Sequence, residues 1–326
     1  YNKIMYFNNK NNFFHGIMFH HFHDATMHPK SPGSISRDDF YKIINFIGKK
    51  NILDANIFHE KMINKTLKEK EVCITFDDSI KCQIDVALPV LEELKIKSFF
   101  FVHTSMFEGK PDNLEVFRFF RSNCFDDVNK FYNLFYKVLD KDLNFFFDNN
   151  HKTIQSYQEK SPIYTIEDIK FRLTRDIFLT RDRYEEIMFL MMKEKKFVPE
   201  ELYSKLFFNK NDIRKLDGLG HLIGLHSHTH PTSMELLDYD GQKKEYEKCL
   251  SLISKILGKS KTEIKYMSHP CGSYNNDTLT ALKELGIEIG FKQMMAIEPE
   301  KGMNKVNNSF LEVARQDHST IFKRMS

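Results

Sequence analysis

The sequence predicts an α/β fold, a largely parallel sheet either open or closed into a barrel, interrupted by a long helical stretch. Three observations predict it. Short apolar runs alternate with helical periods in both halves of the chain. Acids or histidines follow two of those runs directly, which is where parallel α/β folds gather ligands. Between the halves, about a hundred residues switch to a helical period with few strand signals, too long for a plain loop in a compact domain.

Taken in order, residues 72–76 (VCITF) form an apolar run that ends in two acids. Residues 84–94 then place Val86, Val90, Leu91 and Leu94 at helical spacing, and 98–102 (SFFFV) read as the next strand. Pro89 falls inside the helical window, so the helix is expected to begin near it or to kink there. From about 106 to 217 the chain is rich in Phe, Tyr, Lys and Asp at helical period. This insertion is either bulk on the rim of the fold or a lid or acceptor-binding wall over a site. Beyond it, 222–225 (LIGL) read as a strand, 241–257 as an amphipathic helix stopped at Gly258, and 264–268 as a strand. Asn275 is placed to cap a helix running to about Leu285, and 287–291 follow as another strand. No internal repeat or low-complexity linker divides the chain, so residues 1–326 read as one domain carrying an insertion at about 106–217.

Composition excludes several function classes. With 326 residues the chain suits one large α/β barrel, and 48 Lys and Arg against 45 Asp and Glu leave a net charge of only +3. No strong field therefore points to nucleic acid or an anionic membrane. Apolar residues at 41% and charged residues at 29% are globular values rather than those of a disordered chain. The skew to 31 Phe and no Trp is assigned to base composition and to no function. Cys73, Cys82, Cys124, Cys249 and Cys271 are odd in number and lack any CxxC, which argues against a disulfide framework or a thiolate zinc site and for a reducing compartment. No run of about 18 apolar residues exists, so no transmembrane segment is expected. The polar start, residues 1–12, argues against a signal peptide, and a cytoplasmic location is the expectation, with a removed leader or truncated start left open by the beginning at Tyr1.

Two signals carry chemistry. Thr75-Phe76-Asp77-Asp78 puts two acids at the end of a strand; alone, such a pair also reads as a turn and helix cap. His226-Ser227-His228-Thr229-His230-Pro231 again follows a strand directly. Imidazoles four apart converge on one ion, and two His nitrogens with a carboxylate oxygen make a three-ligand site that leaves a position open for water. Pro231 disfavours helix at His230, so a compact turn is expected, with His228 pointing elsewhere. A solvated histidine loop is the alternative.

These residues, with Leu88-Pro89-Val90-Leu91 and the 98–102 strand, resemble the polysaccharide deacetylases of carbohydrate esterase family four. The resemblance covers 72–104 and 220–291 well, and 16–46 and the last fifteen residues more loosely. It implies a distorted (β/α)7-type barrel and one divalent ion held by one Asp and two His. Carried over by position, Asp77 is the general base and Asp78, His226 and His230 are the metal ligands. Zinc is expected from the ligand type, with cobalt or nickel able to substitute. The implied chemistry is attack of water on an acetamide carbonyl, with the ion activating that water and sharing the oxyanion charge.

Further matches are looser. Met267-Ser268-His269-Pro270-Cys271-Gly272-Ser273-Tyr274 resembles the family's Arg-x-Pro-Tyr-Gly groove segment but has Ser268 where an Arg is common and Cys271 where an aromatic is common. The backbone N–H of Cys271 is the candidate oxyanion donor, and Tyr274 the candidate to replace the lost stacking; a plain turn is the alternative. In Leu311-Glu312-Val313-Ala314-Arg315-Gln316-Asp317-His318, Arg315 is the candidate ion-pair partner of Asp77 or Asp317. His318 is the candidate general acid for the leaving amine, against a surface histidine. Residues 16–24 resemble the family's first strand, so His20 or His21 is expected to line the pocket; a second metal there is less favoured than solvated histidines. Cys82 or Cys271 as a nucleophile is disfavoured, because each has a complete metal-hydrolase alternative.

The reading is a metal-dependent deacetylase acting on the N-acetyl group of an amino sugar, in a surface glycan or its precursor made on the cytoplasmic side. Its partner is then an N-acetylated sugar or glycan, not nucleic acid. A degenerate member that binds sugar or a partner through the same groove is the alternative, motivated by Ser268 and Cys271 and opposed by the intact Asp77, Asp78, His226 and His230. A metal-dependent phosphoesterase would want more carboxylates or a second metal.

Overall fold

Seven short runs of buried residues line up as one parallel sheet: β1 (His15–Phe19), β2 (Val72–Phe76), β3 (Phe99–Val102), β4 (Leu222–Leu225), β5 (Tyr266–Ser268), β6 (Ile289–Phe291) and β7 (Ala314–Asp317). Their order is β6-β5-β4-β3-β2-β1-β7. The computed structural model describes residues 14–68, 70–160 and 165–325; the polar stretch 1–12 lies outside them. β1 and β2 are in register from His15 opposite Val72 to Phe19 opposite Phe76. The sheet curls until its outer strands meet. Phe291 of β6 bridges Val313, just before β7, with Val313 N donating to Gly290 O at 2.8 Å and Lys292 N to Val313 O at 2.9 Å. The result is the distorted (β/α)7 barrel expected.

Strands covered on both faces read as continuous apolar runs, which is why VCITF and FFFV stand out in the sequence. One face of these strands packs outward with the helices, through Phe76, Phe100, Val102 and Leu225. The other joins Cys73, Phe99, Phe101 and Phe291 to Ala55, Phe58 and Met62. At the seam, a Cβ on Gly290 would lie 2.6 Å from the carbonyl oxygen of Leu311. Gly290→Ala is therefore expected to lower stability by about 1–3 kcal/mol through overpacking, read by denaturant unfolding; an unchanged midpoint would contradict the close approach.

The described residues divide into two units, one within Tyr1–Asp112 and Ser204–Ser326, the other within Asn113–Tyr203. In the first, α1 (Arg37–Ile47) starts on a Ser36–Asp39 capping box, followed by α2 (Ala55–Ile63). α3 (Leu88–Leu94) continues directly from a π-helical turn at Gln83–Ala87, so Pro89 falls at the junction, where the widened turn accommodates a residue that cannot donate. The second unit holds α4 (Asn113–Asn123), α5 (Val128–Leu139), α6 (Asn144–Asn149), α7 (His151–Lys160), α8 (Ile166–Leu173) and α9 (Arg181–Glu194). Its core is aromatic: Phe135 and Phe171 meet edge to face at 4.9 Å, and Arg121 bonds Asp168 at 2.7 Å beside the Tyr132 hydroxyl. The chain then adds α10 (Tyr203–Leu206), α11 (Lys210–Gly218), α12 (Tyr239–Leu257), α13 (Asn276–Glu284) and α14 (His318–Met325). Among the described residues no helix is long and apolar enough to cross a membrane.

Candidate active site

The site lies at the carboxyl ends of β2, β4 and β7. Beyond β2, Asp78 and Ser79 both take left-handed backbone angles, with φ of 72° and 54°. Two such residues in succession are costly for side chains with a Cβ and persist where the surroundings enforce them. Here the Gln83 side chain bonds the carbonyls of Asp77 at 2.6 Å and His20 at 3.0 Å, tying the turn to the end of β1. The sharp turn gives neighbouring acids different surroundings. Asp77 is buried against a guanidinium, whereas the Asp78 side chain is 24% exposed among histidines.

Arg315, on β7, holds Asp77 with a two-pronged pair: Nη1 to Oδ1 at 2.7 Å and Nη2 to Oδ2 at 2.6 Å. Its Nε donates to the carbonyl of Lys292 at 2.8 Å, which fixes the plane of the fork. Burial alone would raise the Asp77 pKa; the Arg315 charge and hydrogen bonds, with the nearby His226 and His20, together outweigh it and hold the carboxyl below its ordinary range. Asp77 is thus an anion at neutral pH. Ser268, at the position where the family commonly has an Arg, does not reach the acids. It binds His226 instead, and the guanidinium comes from β7.

The turn after β4 is compact, as Pro231 led us to expect, with Ser227 and His230 at φ of 62° and 55°. His226 Nδ1 lies 2.9 Å from the carbonyl and 2.7 Å from the hydroxyl of Ser268. His230 Nδ1 lies 2.9 Å from Asp112 Oδ2. A carbonyl and a carboxylate only accept, so each Nδ1 carries the hydrogen, and in the neutral imidazole each Nε2 presents a lone pair. Both lone pairs face Asp78 Oδ1, at 3.2 Å from His226 and 3.4 Å from His230. Lone pairs that close to a carboxylate oxygen repel unless a proton or a metal ion lies between them. Ligand atoms of Asp78, His226 and His230 lie within 4.8 Å of one another, and this O, N, N set fits a zinc-type ion with room for water. Without an ion a proton takes that place: burial opposes charge on both Asp78 and His230, yet the surrounding histidines hold Asp78 well below its ordinary pKa, and Asp112, Asp78 and Asp77 raise His230 to about 9, so a metal ion would compete with that proton.

The remaining candidates divide. His20, at the end of β1, puts Nε2 at 4.0 Å from Asp77 Oδ2 and 3.9 Å from Asp78 Oδ2, with a fifth of its side chain exposed. His318 is different: buried in the first turn of α14, it stacks on Phe19 at 5.4 Å and donates Nε2–H to the carbonyl of Gly33 at 3.1 Å. Burial lowers its pKa, which leaves it poorly placed to supply a proton. Tyr274 also departs from expectation. Its ring is buried between His269, stacked at 4.2 Å, and the Lys301 ammonium at 4.6 Å, while its hydroxyl bonds Glu312 at 3.2 Å. No face is left for a sugar. Cys271 is exposed, at φ 53° in the turn Pro270–Gly272. His21 lies beside His20, ring centroids 6.3 Å apart. His228 turns away from the acids, its Nδ1 2.9 Å from the Thr104 hydroxyl.

Sequence reasoning missed Asp112, Gln83 and Glu245. Glu245 accepts from the backbone N–H groups of His228 at 3.0 Å and Thr229 at 2.8 Å, and so supports the histidine turn from α12. Asp112 falls within the range assigned to the insertion and reads there as the lead-in to a helix. Nothing in the local sequence marks a contact 118 residues away.

A family model described as polysaccharide deacetylase matches residues 64–118 and 122–290. No match to a curated protein is found. Among solved structures, the Streptococcus pyogenes deacetylase PplD in complex with acetate is similar at 15% identity, over 96% of this chain and 98% of that one, with a TM-score of 0.55. A de-N-acetylase from Aggregatibacter actinomycetemcomitans is similar at 14% identity, over 96% and 99%, with a TM-score of 0.54. IcaB from Ammonifex degensii is similar at 13% identity, over 93% and 90%, with a TM-score of 0.52. At these identities the likeness is one of fold.

Proposed function

The chain belongs to the polysaccharide deacetylase family, and from that premise we propose that it is a metal-dependent hydrolase removing the N-acetyl group of an amino sugar, in a surface glycan or its precursor. The observation that supports this most is the convergence of two Nε2 atoms on Asp78 beside a second acid, Asp77, that is held apart by Arg315. Asp78, His226 and His230 would hold the ion, zinc by donor type with cobalt or nickel as substitutes. When bound, it supplies Lewis acidity to the attacking water and to the acetamide carbonyl. Asp77 takes the proton of that water: each carboxylate oxygen has a second lone pair beyond the one given to Arg315. The backbone N–H of Cys271 donates to the developing oxyanion. As the C–N bond breaks, the amine needs a proton, and His20 is nearer to both acids than the buried His318 is suited to be. The helical insertion, about 106–217 in the sequence, selects the substrate rather than doing the chemistry, since both acids and both ligand histidines lie outside it.

His20→Ala is expected to lower turnover on acetamides by about 10²–10⁴ and to matter less for an activated ester, whose leaving group needs no proton. Equal loss on both substrates would return His20 to a structural role. The reading as a whole is tested by following primary amine release from N-acetylated glucosamine oligomers before chelation, after it, and after zinc is restored. Release that is lost and regained supports it. Tight sugar binding without release, zinc present, would favour a binding module built on the same fold.

A further inference from the structure

We propose that Asp112 is a positioning residue for the metal site: its carboxylate fixes the tautomer and orientation of His230, and so sets the affinity for the ion without touching it. The inference rests on the metal-site reading above.

The two ligand histidines are supported differently. His226 gives its Nδ1–H to neutral groups, the carbonyl and hydroxyl of Ser268. His230 gives its Nδ1–H to an anion, Asp112 Oδ2, at 2.9 Å. Both members of that pair are at least nine-tenths buried, His230 at 5% and Asp112 at 7% exposure. A charge-assisted hydrogen bond in such a setting is about twice as strong as a neutral one, and it makes the opposite ring nitrogen a better donor. The rings of His226 and His103 pack against that of His230 at 4.9 and 5.7 Å, and Asp112 fixes the direction of its Nδ1.

The segment that carries Asp112 is itself anchored to the histidine turn. Thr104 N and Ser105 N donate to the carbonyl of His228 at 3.2 and 2.9 Å, and the Thr104 hydroxyl meets His228 Nδ1 at 2.9 Å. The buried ring of His103 lies 5.7 Å from that of His230. The loop after β3 thus holds the 226–230 turn by backbone and side chain, and Asp112 is its charged contact with a ligand. Asp112 is also the last residue before the helical unit begins. A variant lacking that unit must keep Asp112 to keep the site.

The test is zinc affinity of the full chain, stripped with a chelator and titrated against a chromophoric competitor, for wild type, Asp112→Asn and Asp112→Ala. Asn still accepts the Nδ1–H but without charge; Ala does neither. We expect binding about 10–100-fold weaker for Asp112→Ala, an intermediate loss for Asp112→Asn, and one zinc site in both. Wild-type affinity in Asp112→Ala overturns the proposal, as does a lowered melting temperature with unchanged affinity. If Asp112→Ala does not fold, wild-type affinity in Asp112→Asn overturns it. A wild-type protein that binds no zinc would defeat the metal-site reading itself, a result distinct from these.

Discussion

Asp77→Asn is expected to keep a full equivalent of zinc and to lose about 10²–10⁴ in turnover, the usual worth of a positioned base. The amide fills the same space but has no charge with which to take a proton from water. A second effect follows from burial. Arg315 is 1% exposed, and both of its terminal nitrogens are committed to Asp77. Removing the anion leaves a buried guanidinium without its counter-charge, a loss of about 3–5 kcal/mol in comparable pairs, so the variant should melt earlier as well as turn over slowly. The folded Asp77 pKa is depressed, so its share of stability is present above the ordinary carboxylate pKa and is lost as pH falls through the folded value. The substitution should therefore flatten the acid limb of the stability profile. Near-normal activity in a zinc-loaded Asp77→Asn protein would show that another group is the base.

His226→Ala is expected to lose the ion altogether. Asp78 Oδ1 and His230 Nε2 would remain as ligand atoms, and a pair gives up much more affinity than the roughly 10–100-fold that follows from disturbing a ligand's support. The barrel should persist, because His226 follows β4 and the ladder there is carried by backbone, including His226 N to Val102 O at 2.9 Å. Elemental analysis and circular dichroism on the same sample separate the two effects. A full equivalent of zinc in a folded His226→Ala protein would remove His226 from the ligand set.

Much of this was legible in the sequence, for physical reasons that differ by element. β2, β3 and β4 are covered on both faces, so they show as unbroken apolar runs. β7 reads ARQD and carries no such signal, because its Arg315 is buried for the sake of Asp77 rather than for its own hydropathy. Asp77, Asp78, His226 and His230 could be singled out because each pair is local in sequence and follows a strand. The burial of Tyr274 and His318 was not legible, for the opposite reason. Their surroundings come from distant segments, Glu312 and Lys301 for one and Phe19 and Gly33 for the other, and a linear reading does not show that these bury them. Ser268 illustrates both sides. The sequence showed that the usual Arg is missing, but only the fold shows the guanidinium arriving from β7.

The most direct measurement is anomalous diffraction at the zinc edge from a crystal of the zinc-loaded protein. The expected result is one strong peak per chain, bounded by Asp78 Oδ1, His226 Nε2 and His230 Nε2, with Asp77 alongside but outside the coordination shell. A map without a peak there, or with its only peak among other side chains, would contradict the assignment of this site as the metal centre of a deacetylase.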